Sequence, residues 1–239
     1  MIICGHQPNF LPYAGFFHKM MNCDRFVLVD NVEFVGKGEF GWIHRNKIRI
    51  HNKDEHWLTV PVLQKGRYHQ DINEVEINND EPWRRKHWKA IYLNYKDAPY
   101  FDNYADELEQ IYEQEWEKLV NLNIRLLKWA RNCLNIDVPM TVSSDEGITG
   151  ESTQLVINLT KDLGGDRYLS GMHGRDYLDR ELIEQSDVTV EFQDYEPVEY
   201  PQQQDGFVPY LSIVDILFNC GPDSRDVIEE GGSITDEWE

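Results

Sequence analysis

Three polar side chains crowd one proline near the amino end, in the run His6-Gln7-Pro8-Asn9, and Lys19 and Asp30 follow within the next two predicted elements. An imidazole near its ordinary pKa of about 6.5 suits proton transfer at neutral pH. Gln7 and Asn9 each donate and accept, which matches the hydroxyls and amides of a sugar or a base. Lysine and arginine suit phosphate. A second polar, glycine-bearing stretch, Ser170-Gly171-Met172-His173-Gly174-Arg175-Asp176, adds Ser170, His173 and Arg175. Attack on a carbonyl needs a base for the nucleophile and donors for the oxyanion. His6 is the candidate base, Asn9 and Lys19 are the candidate donors, and Asp30 would lie nearby. Each has a plainer use: His6 can fix its turn, Lys19 can face solvent, Ser170 can cap a helix, and Asp30 can buttress Arg45 or Lys47.

The elements that must position these groups are legible around them. Ile2, Ile3 and Cys4 predict a short buried strand that Gly5 ends. Pro12 can open a helix, since a missing N–H costs nothing in the first turn. Tyr13, Phe16, Phe17, Met20 and Met21 then recur at helical spacing, and Asp24 to Asp30 reads as a second strand. The later turn likewise follows a predicted strand, 166–170, and precedes a predicted helix, 177–185. In open α/β sheets ligands bind at such carboxyl-end turns. The two turns are therefore expected to enclose one pocket holding His6, Gln7, Asn9, Lys19, Ser170, His173 and Arg175.

The remaining chain supports this frame. Asn31 to Gly41 carries three glycines and is expected to be a flexible loop that closes over a ligand. It matches neither G-x-x-x-x-G-K-[ST] nor G-x-G-x-x-G. Trp42 to Ile50 and Trp57 to Val62 predict a hairpin across Asn52-Lys53-Asp54, with Arg45, Lys47 and Arg49 on one face. A basic helix from Trp83 to Tyr95 and two amphipathic ones, 104–116 and 118–134, follow. Then come a strand at 138–142, a helix at 154–163, a strand at 188–192 and a helix at 212–219. The expected fold class is α/β, Rossmann-like, a mostly parallel sheet flanked by helices with a β-hairpin and a helical insertion at about 83–135. One domain is expected over 1–222, with an acidic, flexible tail at 223–239.

Charge narrows the partners. The chain carries −20 overall, but Met1 to Phe101 has 14 Lys+Arg against 12 Asp+Glu, and the rest has 9 against 31. An acidic body repels nucleic acid and anionic membranes at long range, so an anionic small ligand belongs to the mildly basic half. Four cysteines without a C-x-x-C pair fit a reduced, cytoplasmic protein. There is no signal-peptide pattern and no apolar run approaching the ~20 residues of a membrane span. The histidines lack H-E-x-x-H and related spacing, so no metal is expected, and the absence of metal and dinucleotide motifs leaves any cofactor unassigned.

Several ordered motifs carry a family resemblance: His6-Gln-Pro-Asn-Phe-Leu-Pro-Tyr-Ala-Gly-Phe-Phe-His-Lys19, Phe26-Val-Leu-Val-Asp30, Arg45-Asn-Lys-Ile48, Trp57-Leu-Thr-Val-Pro61, Tyr168-Leu-Ser-Gly171 and Leu211-Ser-Ile-Val-Asp215. From about Ile2 to Gly221 the chain resembles the WbqC-like proteins of bacterial glycan gene clusters. The resemblance implies a transferase that joins an amino acid, glycine in the suggested case, to an amino or hydroxyl group of an activated sugar. Its substrates would be a small amino acid and a phosphate-bearing acceptor. The candidate catalytic set is then His6, Asn9, Lys19 and Asp30, and the candidate substrate contacts are Gln7, Tyr13, Arg45, Asn46, Lys47, Ser170, His173 and Arg175. Position 10 is Phe and position 13 is Tyr, where the family pattern has Tyr and Trp. Two other readings stand beside this one: amino-acid transfer to a phosphate-activated modified base in DNA, and a non-catalytic nucleotide- or glycan-binding module. The first turn is only distantly similar to the H-x-G-H of nucleotidylyl-transfer enzymes, because Tyr13-Ala-Gly15-Phe16 lacks both histidines.

Overall fold

The computed structural model describes residues 1–38, 41–51 and 53–238, the side chains of Lys53 and Asp54 excepted. Glu39 and Phe40 of the glycine-bearing loop, and Asn52 of the hairpin turn, lie outside the described residues.

Strand β1 (Ile2–His6) leads through the polar turn into helix α1 (Ala14–Met21), and β2 (Arg25–Leu28) returns parallel to β1 with His6 opposite Leu28. Strands β3 (Arg45–Ile50) and β4 (Lys53–Thr59) form a separate antiparallel hairpin. Helices α2 (Trp83–Tyr95), α3 (Phe101–Glu113) and α4 (Leu119–Cys133) make up the expected helical segment. The chain continues through β5 (Met140–Val142), α5 (Ser152–Asp162), β6 (Arg167–Gly171), α6 (Gly174–Tyr177), α7 (Arg180–Glu184) and β7 (Thr189–Tyr195). It ends with α8 (Ile213–Cys220), α9 (Ser224–Glu230) and β8 (Gly232–Thr235).

The main sheet runs β5-β2-β1-β6-β7-β8, with only β8 antiparallel. From β1 the chain builds outward through β2 and β5, then crosses back to build the other side through β6 and β7. The carboxyl ends of β1 and β6 therefore flank a switch point, the usual ligand crevice of open α/β sheets. Alternate side chains of one strand enter different apolar clusters, as a two-residue period requires. Cys4, Phe26 and Leu169 join α1, α4 and α8, while Ile3, Val27 and Tyr168 join α5 and α7.

Two expectations are corrected here. The predicted helix at 177–185 is two short helices, because the Asp179 carboxylate accepts the Leu182 N–H and restarts the helix. The acidic tail is built into the fold. Strand β8 pairs with β7, Phe192 opposite Thr235, and Trp238 packs edge-on against Phe192 at 4.9 Å. Seven acidic residues after residue 222 pointed to a tail without a core. Two facts outweigh that composition: β7 has an edge whose N–H and C=O groups need partners, and Ile228 is fully buried. No helix among the described residues is long and apolar enough to cross a membrane.

Three histidines are buried among the described residues, His18, His44 and His87, and burial pushes the pKa of each down. His87 sits among Phe10, Trp83 and Tyr112, its Nε2–H donating to Thr59 O at 3.0 Å. Burial pushes it down to about 4. Burial, helped by the Arg45 charge, pushes His44 to about 4 as well. The unfolded chain takes up both protons below about pH 6.5, whereas the folded one does so only near 4. Their stabilising contribution is therefore full above pH 6.5 and is lost as pH falls toward 4, with a slope of up to about 1.4 kcal/mol per pH unit for each. Urea melts between pH 7 and pH 5 should show stability falling with acidification. A flat profile there would mean that the two rings are charged in the fold.

Candidate functional site

The turn from His6 to Tyr13 is irregular for local reasons. Pro8 and Pro12 lack N–H groups, and Leu11 adopts a left-handed φ of 41°. Its carbonyls consequently need donors from elsewhere. Asn123 of α4, fully buried, donates to Pro8 O and to Ile43 O, both at 2.7 Å. Asn46 of β3 donates to Leu11 O at 2.7 Å, and Ile213 N to Pro12 O at 2.9 Å. The hairpin and the helical segment together hold this turn against the sheet edge.

The two polar turns do meet. A cavity of about 750 Å³ opens at the carboxyl ends of β1, β6 and β7, within the range of small-ligand sites. Of the sequence candidates, His6, Gln7, Tyr13, Lys19, Ser170 and His173 line it. Glycine is needed at two points of its wall. A Cβ on Gly174 would lie 2.1 Å from Ser170 Oγ, and one on Gly5 would lie 2.8 Å from the Tyr168 hydroxyl. Of the two positions that depart from the family pattern, Tyr13 lines the cavity, whereas Phe10 is buried against His87.

Lys19 is only 5% exposed, yet no carboxylate among the described residues pairs with it. Its Nζ donates to Gly5 O at 3.0 Å and lies 6.0 Å from the centre of the Tyr168 ring. His6 is half-buried, with Phe16 edge-on at 4.7 Å. Its Nδ1 is 2.9 Å from Gln7 O. A carbonyl can only accept, so Nδ1 carries the proton of the neutral ring and Nε2 keeps a lone pair. Burial first, and the Lys19 charge second, push the imidazole down to about 4, against the opposing pull of the Gln7 carbonyl.

The other candidates lie elsewhere. Asn9 is half-buried but does not line the cavity. Asp30 is buried at the β2–β5 end, where its oxygens accept from Ser144 N and Ser143 Oγ, both at 3.1 Å, and from Ser144 Oγ at 2.8 Å. Arg45 donates to Gly41 O at 3.0 Å and stacks on Trp57 at 4.5 Å. Lys47 pairs with Glu55 at 2.7 Å. Asn46 holds the turn from behind, as described above. Arg175 donates to Glu237 O at 2.7 Å and lies over Phe192 at 4.8 Å. The tail that sequence reading set aside thus engages this guanidinium.

Sequence reading also missed wall residues: Tyr168, Gln193, Asp194, Tyr195, Glu196 and Tyr210. The last five follow the β7 alternation or sit in a loop, with no motif to mark them. Asn123 did carry a signal. It falls within the apolar spacing Leu119, Leu122, Leu126, Leu127, where a buried amide must have a job.

A mostly parallel sheet covered on both faces, with a cavity at its switch point whose wall includes a lysine, an imidazole and a serine, defines an α/β protein with a preformed small-ligand crevice. The chain belongs to the WbqC-like protein family, whose sequence profile matches residues 7–227. It is 33% identical over 224 residues to the uncharacterised protein Rv1507c of Mycobacterium tuberculosis, covering 93% of this chain and 95% of that one. No solved structure matches it significantly.

The His6–Lys19 coupling is directly measurable. In ligand-free protein, an NMR titration of the His6 ring should have its midpoint near 4. Lys19→Met removes the second cause and should raise that midpoint, while burial keeps it below 6.5. An unmoved midpoint would show that the two groups do not sense each other.

Proposed function

We propose that the protein is a transferase moving an amino acid, with glycine the first candidate, from an activated acyl donor onto an amino or hydroxyl group of a phosphate-activated sugar or a similar phosphate-bearing acceptor, the bond to the donor's activating group breaking as the amide or ester forms. The observation that carries this reading is Lys19, a buried ammonium on a cavity wall that, among the described residues, has the Cys4 thiol as a neighbour but no carboxylate partner. Burying such a charge is costly unless a counter-charge arrives, and a phosphate supplies one. Gln7 and Ser170 line the same cavity and suit the hydroxyls around a phosphate. His6 presents a bare Nε2 as the acceptor of the nucleophile's proton. With Lys19 neutralised by a bound anion, one cause of the low His6 pKa is gone, and the imidazole becomes a better base where it is needed.

A modified DNA base as acceptor is less well supported. Several of the basic residues a nucleic acid would meet, at 45–49 and 84–86, are engaged within the protein: Arg49 with Gln202 Oε1 at 2.7 Å and Gly206 O at 2.8 Å, Lys47 with Glu55, and Arg84 with Gln114 O.

His6→Ala should abolish transfer, read by mass spectrometry of the acceptor, while nucleotide-sugar affinity stays within about tenfold, or ~1.4 kcal/mol. Lys19→Met should instead weaken acceptor binding. Undiminished turnover in His6→Ala would remove the base assignment. A wild-type protein that binds phosphate-activated acceptors but never modifies them would point to a binding module.

A further inference from the structure

The wall opposite Lys19 has the reverse chemistry. Gln193, at the end of β7, is 6% exposed and lines the cavity. Its Nε2 donates to Gly15 O at 2.8 Å and lies 2.8 Å from His18 Nδ1. Gly15 O can only accept, so the amide is locked with its nitrogen inward and both hydrogens engaged. Oε1 has no protein donor among the described residues and is not sealed from solvent. It is the part of this side chain that opens into the cavity, and it can only accept.

Its neighbours match it. Asp194 and Glu196 are exposed residues of the same cavity wall, and among the described residues neither pairs with a basic side chain. Tyr13, Tyr195 and Tyr210 line it too, Tyr13 lying 5.9 Å from each of the other rings. No described ammonium or guanidinium sits over any of the three, although five such cation–ring pairs occur elsewhere in the fold. Aromatic faces beside carboxylates and a fixed amide oxygen form a recognition surface for an organic cation.

We propose that the β7 end of the cavity, built from Gln193 Oε1, the rings of Tyr13, Tyr195 and Tyr210 and the carboxylates of Asp194 and Glu196, binds the primary ammonium group of the amino-acid substrate. This rests on the transferase reading and deepens it, by dividing the cavity into an anion pole at Lys19 and a cation pole at β7. The poles are close enough for one reaction centre. Gln193 is anchored to Gly15, one turn of α1 before Lys19, which is about 6 Å along the helix axis. A neutral hydroxylated ligand could donate to these carboxylates as well, but its binding would not depend on carrying a positive charge. An anion would be repelled by the carboxylates.

The probes are glycinamide, which carries the ammonium without a carboxylate, and N-acetylglycinamide, which lacks the charge. Binding is followed by protein NMR shifts at low ionic strength, because exposed carboxylates are screened by salt. Glycinamide should bind and N-acetylglycinamide should not. Tyr210→Ala and the double variant Asp194→Asn/Glu196→Gln should each weaken glycinamide about tenfold, and Gln193→Leu should do the same if it folds. Because Gln193 also holds Gly15 and His18, the exposed variants decide the matter if it does not. Equal binding of both probes, or glycinamide affinity unchanged in both exposed variants, overturns the assignment. If transfer occurs and the amino-acid KM is unmoved by these variants, the cation pole falls and the transferase reading stands. If glycinamide binds as expected while the wild-type protein transfers nothing, the ammonium site stands and the transferase reading falls.

Discussion

The carbonyl oxygens of the first turn are the constraint around which the rest is arranged. Two prolines and a left-handed leucine keep the chain from Gln7 to Pro12 out of any regular ladder, and the carbonyls of Pro8, Leu11 and Pro12 take their donors from elsewhere in the chain. A buried polar group left unpaired costs about 1–3 kcal/mol. The donors come from three distant parts of the chain: Asn46 on the hairpin, Asn123 on α4 and the backbone of Ile213 at the start of α8. The hairpin and the helical segment are thus structural supports of the crevice. They hold His6 at the sheet edge without themselves lining it.

A second buried network fixes the far rim. Asp215 accepts from Tyr95 OH at 2.6 Å and from Tyr200 OH and Gln202 Nε2 at 2.9 Å. Burial raises its pKa, while these hydrogen bonds and the Arg49 charge hold it down. Arg49 meanwhile takes the carbonyls of Gln204, Asp205 and Gly206. The loop between β7 and α8 is therefore clamped at its middle, and this loop carries Tyr210 to the cavity. One carboxylate and one guanidinium, neither in the crevice, decide where an aromatic wall stands.

The electrostatics of the crevice follow from burial more than from net charge. A protein of −20 would be expected to present a negative field everywhere. Locally, the buried Lys19 sets the sign around His6, because no carboxylate among the described residues pairs with it and its burial limits screening by water. Among the described residues, the acidic excess of the second half reaches the cavity at Asp194 and Glu196, at its β7 end. Overall charge predicts long-range encounter, whereas the geometry of a few buried groups decides which end of a ligand goes where.

Read alone, the sequence was enough to establish the strand, polar turn, helix and strand at the amino end, the second glycine-bearing turn, the α/β class and the family. Those features are local: apolar periodicity, prolines, glycines and motif order within short windows. Of the seven residues the sequence grouped into one pocket, His6, Gln7, Lys19, Ser170 and His173 line the cavity and Asn9 and Arg175 do not; the five come together because a parallel sheet brings its carboxyl ends to one edge. Only the tertiary structure decided that Asp30, Arg45, Asn46, Lys47 and Arg175 are engaged elsewhere. Their partners, Ser144, Gly41, Leu11, Glu55 and Glu237, are mostly distant in sequence or set by strand register. It also turned the acidic tail into a strand and brought Gln193, Tyr195 and Tyr210 to the wall. The physical reason is the same in each case: a polar side chain's role depends on which unsatisfied group lies within about 3 Å of it, and folding, not sequence spacing, determines that neighbour.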